Sequence, residues 1–109
     1  MAYVYLLHCT GGSLYTGITT DIKRRLREHT SGNRAGAKYT RAHRPLGIAA
    51  LWETDDLATA ARIEYAIKQW PAARKRLLVE TPWLLGSAPF PLPPGIRPPR
   101  AILPPGEEE

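Results

Sequence analysis

Two tyrosines, an arginine, a histidine and a glutamate in this chain have the side chains that phosphodiester hydrolysis requires. Tyr5 and Tyr15 lie in two short β-rich runs, Arg25 and His29 follow four residues apart, and Glu64 comes later. Such hydrolysis needs a polarised water, stabilisation of charge on the phosphate oxygens and help for the leaving oxygen. These five residues are therefore our candidates for a catalytic site.

The basic helix predicted after Tyr15 indicates how a tyrosine could take part in such chemistry. Tyrosine, with a pKa of about 10, is a poor base unless neighbouring cations lower the cost of its proton transfer. Arg25 and His29 share one helix face because they are spaced i, i+4. Arginine can grip a phosphate with two hydrogen bonds, and histidine can move protons near neutral pH. Taken alone, His29 is better explained as a helix-end residue that complements the helix dipole.

Glu64 lies at the margin of an apolar helical stripe formed by Ala60, Ile63 and Ile67. One carboxylate with waters suits Mg²⁺, which keeps much of its hydration when it binds to proteins. Taken alone, an i, i+4 ion pair with Lys68 explains Glu64 more simply and contributes only a few tenths of a kcal/mol.

The net charge of +5 is concentrated in one segment. Residues 21–44 contain eight basic and two acidic residues, and arginines outnumber lysines there by six to two. This pattern favours a nucleic acid, because arginine suits phosphate contacts, although a solvated basic face is the alternative. The basic residues are Lys23, Arg24, Arg25, Arg27, Arg34, Lys38, Arg41 and Arg44.

Length and composition indicate one modest domain with no membrane span. The chain has 109 residues and no apolar stretch of the roughly 20 residues that a span requires. Its N-terminus lacks the basic stretch of a secretory signal. Cys9 is the lone cysteine, which excludes an internal disulfide and a cysteine-based metal cage. We therefore expect a cytoplasmic protein.

Hydrophobic patterns predict an α+β domain over residues 1–80 with the order β-β-α-β-α-α and a three-stranded antiparallel sheet flanked by helices. The predicted strands cover residues 3–9, 14–18 and 47–53. The first predicted helix is capped by Thr19 or Thr20 and ends near Thr30, and the second is capped by Asp55 or Asp56 and runs to about Gln69. The third runs from Pro71 to before Pro82.

Residues 81–109 form a predicted tail that is extended or disordered. This segment holds nine of the eleven prolines and ends in three glutamates, and proline cannot donate backbone hydrogen bonds. Trp83 and the prolines also make the tail a candidate contact for a protein partner that reads polyproline.

The order and spacing of these motifs resemble those of the GIY-YIG endonuclease superfamily. Tyr3-Val4-Tyr5 stands for the first half of the signature and Tyr15-Thr16-Gly17 for the second. The resemblance covers residues 3 to about 78 and is closest to small stand-alone bacterial members. It implies an active site of Tyr5, Tyr15, Arg25, His29 and Glu64, with Glu64 binding one Mg²⁺ or Mn²⁺ ion. Tyr39 lies where several members carry a further histidine or tyrosine.

Some positions depart from the family pattern. Tyr3 replaces the signature glycine and Thr16 a branched aliphatic residue, and neither change removes a catalytic side chain. The late asparagine of larger relatives has no counterpart, since Asn33 is the only asparagine. The family's DNA-targeting appendages are also missing. The resemblance therefore implies a nuclease guided by DNA structure rather than sequence, in repair or processing.

Two other classes of function stay open. One is a non-catalytic module that binds DNA or RNA through residues 21–44, and the other is an interaction protein that works through its tail. A homodimer is an open alternative to a monomer.

The hairpin loop provides a geometric test of the catalytic interpretation. A two-residue turn at Gly11-Gly12 would place Tyr5 and Tyr15 on opposite faces of the sheet. A three-residue loop, Thr10-Gly11-Gly12, pairs Tyr5 with Gly17 and places both tyrosines on one face. We therefore predict the three-residue loop, with a glycine in the left-handed region and Gly17 leaving room beside Tyr5.

Overall fold

The computed structural model describes residues 1–30 and 45–102, and the side chains of 1–28 and 46–102. Its fold is α+β, as predicted. The elements are β1 (Ala2–Cys9), β2 (Leu14–Thr19), α1 (Ile22–Thr30), β3 (Pro45–Thr54), α2 (Leu57–Lys68), α3 (Ala72–Glu80) and β4 (Arg100–Ile102), with short 3₁₀ turns at Thr10–Gly12 and Pro82–Leu84.

The hairpin between β1 and β2 has the predicted three-residue loop. Gly11 and Gly12 adopt φ values of 83° and 78°, in the left-handed region that glycine enters without steric cost. Strand pairing places Tyr5 opposite Gly17 and Leu7 opposite Tyr15. The predicted register is therefore confirmed, and both tyrosines lie on one face of the sheet.

Short polar residues cap the first two helices. The carboxylate of Asp21 accepts a hydrogen bond from the backbone N–H of Arg24 at 3.0 Å, so Asp21 caps α1. The predicted cap at Thr19 or Thr20 is wrong, because the Thr19 hydroxyl instead accepts from the Asp21 N–H at 3.0 Å. Asp56 caps α2, as one of the two predicted alternatives, by accepting from the Thr59 N–H at 2.8 Å.

The sheet has four strands in the order β2-β1-β3-β4, so the predicted three-stranded sheet is wrong. The additional strand, β4, comes from the proline-rich segment and pairs antiparallel with β3. Leu85 and Phe90 of the same segment are buried, and the Trp52 indole donates a hydrogen bond to the Pro82 carbonyl at 2.8 Å. Proline removes backbone donors but does not prevent the apolar residues between prolines from packing on the domain.

The sheet has two contrasting faces. The aliphatic face is covered by α2, α3 and the proline-rich segment, and it buries Val4, Leu6, Trp52, Ile63, Leu78 and Phe90 among others. The tyrosine face buries Tyr5, Leu7, Cys9 and Leu51, with Tyr15 and the α1 residues Ile22 and Leu26 packed against them. None of the helices described is both long and apolar enough to cross a membrane.

Candidate active site

Tyr5 and Tyr15 form the centre of the candidate site. Their ring centroids are 6.3 Å apart at an interplanar angle of 44°, and Tyr5 is fully buried. Gly17 lies against both rings, since a Cβ at this position would lie 2.5 Å from the Tyr5 hydroxyl oxygen and 2.9 Å from Tyr15 Cε2. The room that Gly17 was predicted to leave is confirmed, and the two tyrosine rings fill it. Any larger residue would push Tyr5 out of place.

Burial raises the pKa of both tyrosines above the ordinary value of about 10, at which a tyrosine is already protonated at neutral pH. It is the largest cause that raises the pKa of Tyr5, and Tyr15 and Glu64 raise it further. Burial and Glu64 likewise raise the pKa of Tyr15. Arg25 lowers the pKa of both, as expected of a nearby cation, but its effect is the smaller one. Burial therefore outweighs the nearby cation at both tyrosines.

Arg25 extends from α1 towards this pair of tyrosines. Its side chain is partly buried, and its guanidinium lies 3.4 Å from the carboxylate of Glu28. Arg24 reaches the other oxygen of that carboxylate, also at 3.4 Å. Sequence reasoning missed Glu28 as a member of the site, although its i, i+3 spacing from Arg25 was a visible signal. Glu28 also raises the pKa of Tyr5, so it belongs to the same electrostatic cluster.

Glu64 approaches the tyrosines from the other side of the sheet. It lies on α2, which packs against β1 and β2 through the aliphatic face. Its carboxylate nevertheless raises the pKa of Tyr5 and Tyr15 on the tyrosine face. The predicted ion pair between Glu64 and Lys68 is also present, at 3.3 Å.

Comparison with known proteins identifies the family of this chain. The GIY-YIG catalytic domain family matches residues 1–77. The chain belongs to the GIY-YIG family. This family is a nuclease superfamily, and the resemblance inferred from the signature tyrosines is confirmed.

Small proteins named UPF0213 are among the relatives of this GIY-YIG domain. That of Desulfotalea psychrophila is 47% identical over 78 residues, which cover 72% of this chain and 70% of the relative. That of Xanthomonas campestris is 46% identical over 83 residues, which cover 76% and 79%. The solution NMR structure of the UPF0213 protein BH0048 from Bacillus halodurans is 44% identical, with a TM-score of 0.48, and covers 74% of this chain and 85% of that one.

The donor set of this GIY-YIG domain fits a weakly held divalent metal. Among the side chains described, no three histidine, cysteine, aspartate or glutamate residues group together as metal ligands. Glu64 offers carboxylate oxygens, the ligand type that Mg²⁺ and Mn²⁺ prefer. A single carboxylate is sufficient where water completes the coordination of Mg²⁺. Among the described side chains, Glu64 therefore fits one hydrated divalent ion.

The remaining predicted site residues divide into two groups. Lys23, Arg24 and Arg27 lie exposed along α1, where cations can reach a polyanion. His29 has its backbone in α1, but its side chain lies outside the described part of the chain. The other predicted residues outside the described part are Arg34, Lys38, Tyr39, Arg41 and Arg44.

Proposed function

We propose that this protein is a divalent-metal-dependent nuclease that hydrolyses DNA phosphodiester bonds in the cytoplasm, during repair or processing. The observation that carries the proposal is the pair of Tyr5 and Tyr15, whose ring centroids lie 6.3 Å apart, with Arg25 and Glu64 near enough to shift their pKa values. It lies in a chain of a nuclease superfamily. In this proposal the substrate is selected by its structure rather than by its sequence.

In this proposal Tyr15 activates the attacking water. Its raised pKa means that it acts as a neutral hydroxyl, which accepts a hydrogen bond from the water and does not begin as a phenolate. The hydroxyl must lose its own proton as it takes one from the water, and His29 is our candidate acceptor. Tyr5 is more deeply buried and fully enclosed beside Gly17, so we assign it the orientation of Tyr15 and of the phosphate.

Arg25 and Glu64 supply the opposite charges of the site. Arg25 is held partly buried by Glu28, which leaves its guanidinium oriented for the scissile phosphate before substrate arrives. Glu64 holds the divalent ion, which supplies Lewis-acid stabilisation of charge on the phosphate oxygens. Lys68 keeps the carboxylate in place and balances its charge when no ion is bound.

Replacement of Glu64 by glutamine tests this proposal. We expect cleavage of end-labelled single-stranded, duplex and branched DNA with Mg²⁺ or Mn²⁺ to fall at least about 10³-fold, since the metal contributes several kcal/mol. DNA binding stays within about threefold, because phosphate contacts to the basic residues dominate affinity. Asp55→Asn is the matched control, since it neutralises an exposed carboxylate that pairs with Arg97 instead of facing the tyrosines.

The alternative is a non-catalytic module that binds nucleic acid. The ion pair between Glu64 and Lys68 favours it, because a carboxylate that already has a cation partner has a purely structural explanation. This module would bind DNA or RNA in a salt-sensitive manner, would be insensitive to Glu64→Gln and would yield no metal-dependent product. Cleavage by the Glu64→Gln protein at the wild-type rate would remove the metal role of Glu64.

A further inference from the structure

A groove lies between the hairpin loop and α3, outside the candidate active site. It consists of two adjoining cavities of about 200 and 170 Å³, which share Gly12, Leu14 and Arg76. We call it the hairpin groove and define it by His8, Gly12, Leu14, Lys75, Arg76 and Val79.

The lining of the hairpin groove has a net positive charge, from two cations and one carboxylate. Lys75 and Arg76 lie on one wall, and Glu80 is the acidic residue among those that line it. Arg76 and Glu80 have the i, i+4 spacing of a helical ion pair. Yet among the described residues neither Lys75 nor Arg76 has a carboxylate within ion-pair distance. An anionic ligand would therefore find two available cations.

The surroundings of Lys75 support an anionic ligand. Burial lowers the pKa of its ammonium group, and the nearby Lys68 lowers it further. A bound phosphate beside Lys75 would favour the charged form of its ammonium group and so oppose both effects.

The hairpin groove adjoins the candidate active site. Leu14 in its wall immediately precedes Tyr15, and Lys68 beside Lys75 is the ion-pair partner of Glu64. The groove lies towards the aliphatic face, on which α3 packs, whereas the exposed cations of α1 lie beyond the tyrosine face. These two basic surfaces lie on either side of the edge strand β2, which carries Tyr15 of the candidate site.

We propose that the hairpin groove binds the sugar-phosphate backbone of the substrate strand, next to the phosphate that is cleaved. A strand held there by Lys75 and Arg76 passes over the edge of β2 and meets the cations of α1 on the other side. This inference rests on the proposed nucleic-acid substrate but not on the cleavage mechanism. The domain then contacts one nucleic-acid strand through basic residues on both faces of the sheet.

A charge reversal in the groove tests this inference in the full chain. Arg76→Glu is compared with Arg97→Glu, which makes the same change at an arginine outside the groove that is 82% exposed. The measurement is the fluorescence anisotropy of end-labelled single-stranded and duplex DNA, in EDTA to prevent cleavage, at several salt concentrations. We expect Arg76→Glu to weaken DNA binding about tenfold and to reduce the slope of log affinity against log salt concentration by about one. Arg97→Glu should weaken DNA binding less than about threefold.

A second variant and the cleavage assay separate the outcomes. Lys75→Glu should reproduce the loss seen with Arg76→Glu, and it should leave the fold intact because it removes a repulsion. Equal effects of Arg76→Glu and Arg97→Glu would overturn the groove inference, and so would a wild-type protein that binds no DNA at low salt. Weakened binding by Arg76→Glu beside undiminished cleavage by Glu64→Gln would support the groove while rejecting the proposed mechanism.

Discussion

The two faces of the sheet are built from alternating residues of the same strands, yet they differ in chemistry. On β1, Val4 and Leu6 enter the aliphatic face, whereas Tyr5 and Cys9 enter the tyrosine face. The aliphatic face buries side chains without ionisable groups under two helices and the proline-rich segment. The tyrosine face buries ionisable groups under one helix.

This difference separates stability from chemistry within one small domain. Burial of each aliphatic side chain contributes roughly 1.5–3 kcal/mol to stability, and it needs no polar or charged partner nearby. Burial of Tyr5 and Tyr15 instead shifts their pKa values and requires glycine at position 17. The aliphatic face thus stabilises a fold whose other face can bury ionisable tyrosines beside charged groups. Three changes test this division.

The largest effect should come from the tyrosine face. Tyr15→Phe removes one hydroxyl, and we expect cleavage to fall about 10²–10⁴-fold, the usual contribution of proton transfer by a positioned side chain. Thermal stability should change by no more than about 1 kcal/mol. Metal-dependent cleavage and melting of the same samples measure both quantities.

Tyr65→Phe is the control for that change, because Tyr65 is 71% exposed on α2 and lies outside the two buried clusters. It should cleave at the wild-type rate. If Tyr15→Phe were fully active and Tyr5→Phe inactive, the activation of water would belong to Tyr5 instead.

A change on the aliphatic face should have the opposite signature. Leu6→Ala, at a fully buried position, should lower the free energy of unfolding by about 2–5 kcal/mol through lost burial and a cavity. Cleavage per folded molecule should stay within about threefold. Denaturant melts measure the stability, and Leu46→Ala, at a residue 66% exposed, should change it by less than about 0.5 kcal/mol. A Leu6→Ala protein that stays folded but inactive would contradict the separation of the faces.

Alkaline pH should have the smallest effect. The folded pKa of Tyr5 and of Tyr15 is raised, so the folded state retains protons that the unfolded state loses above about pH 10. Their contribution is fully present below pH 10, and stability falls as pH rises further, by at most about 1.4 kcal/mol per pH unit for each tyrosine. Melting temperatures between pH 9 and 11 measure this slope. Tyr5→Phe should flatten it, and an unchanged slope in that variant would contradict the raised pKa.

Local patterns predicted much of the fold and of the site. The loop length of the hairpin determined its register, because side chains alternate along a strand and one residue decides the face. Asp56 at the start of α2 and the Glu64–Lys68 pair also follow from spacing alone. The fourth strand could not be predicted from local spacing, because the pairing of Arg100–Ile102 with β3 joins segments that lie far apart in the chain.

The residue types and the hairpin register that bring Tyr5 and Tyr15 together follow from local sequence alone. Those properties depend on neighbours a few residues apart, which alternation and glycine conformations dictate. The pKa values of the tyrosines depend instead on the tertiary structure, because burial, with Tyr15 at Tyr5 and Glu64 at Tyr15, outweighs the cation of Arg25. Electrostatic energies depend on distance and burial in space, and neither can be read from separation along the chain.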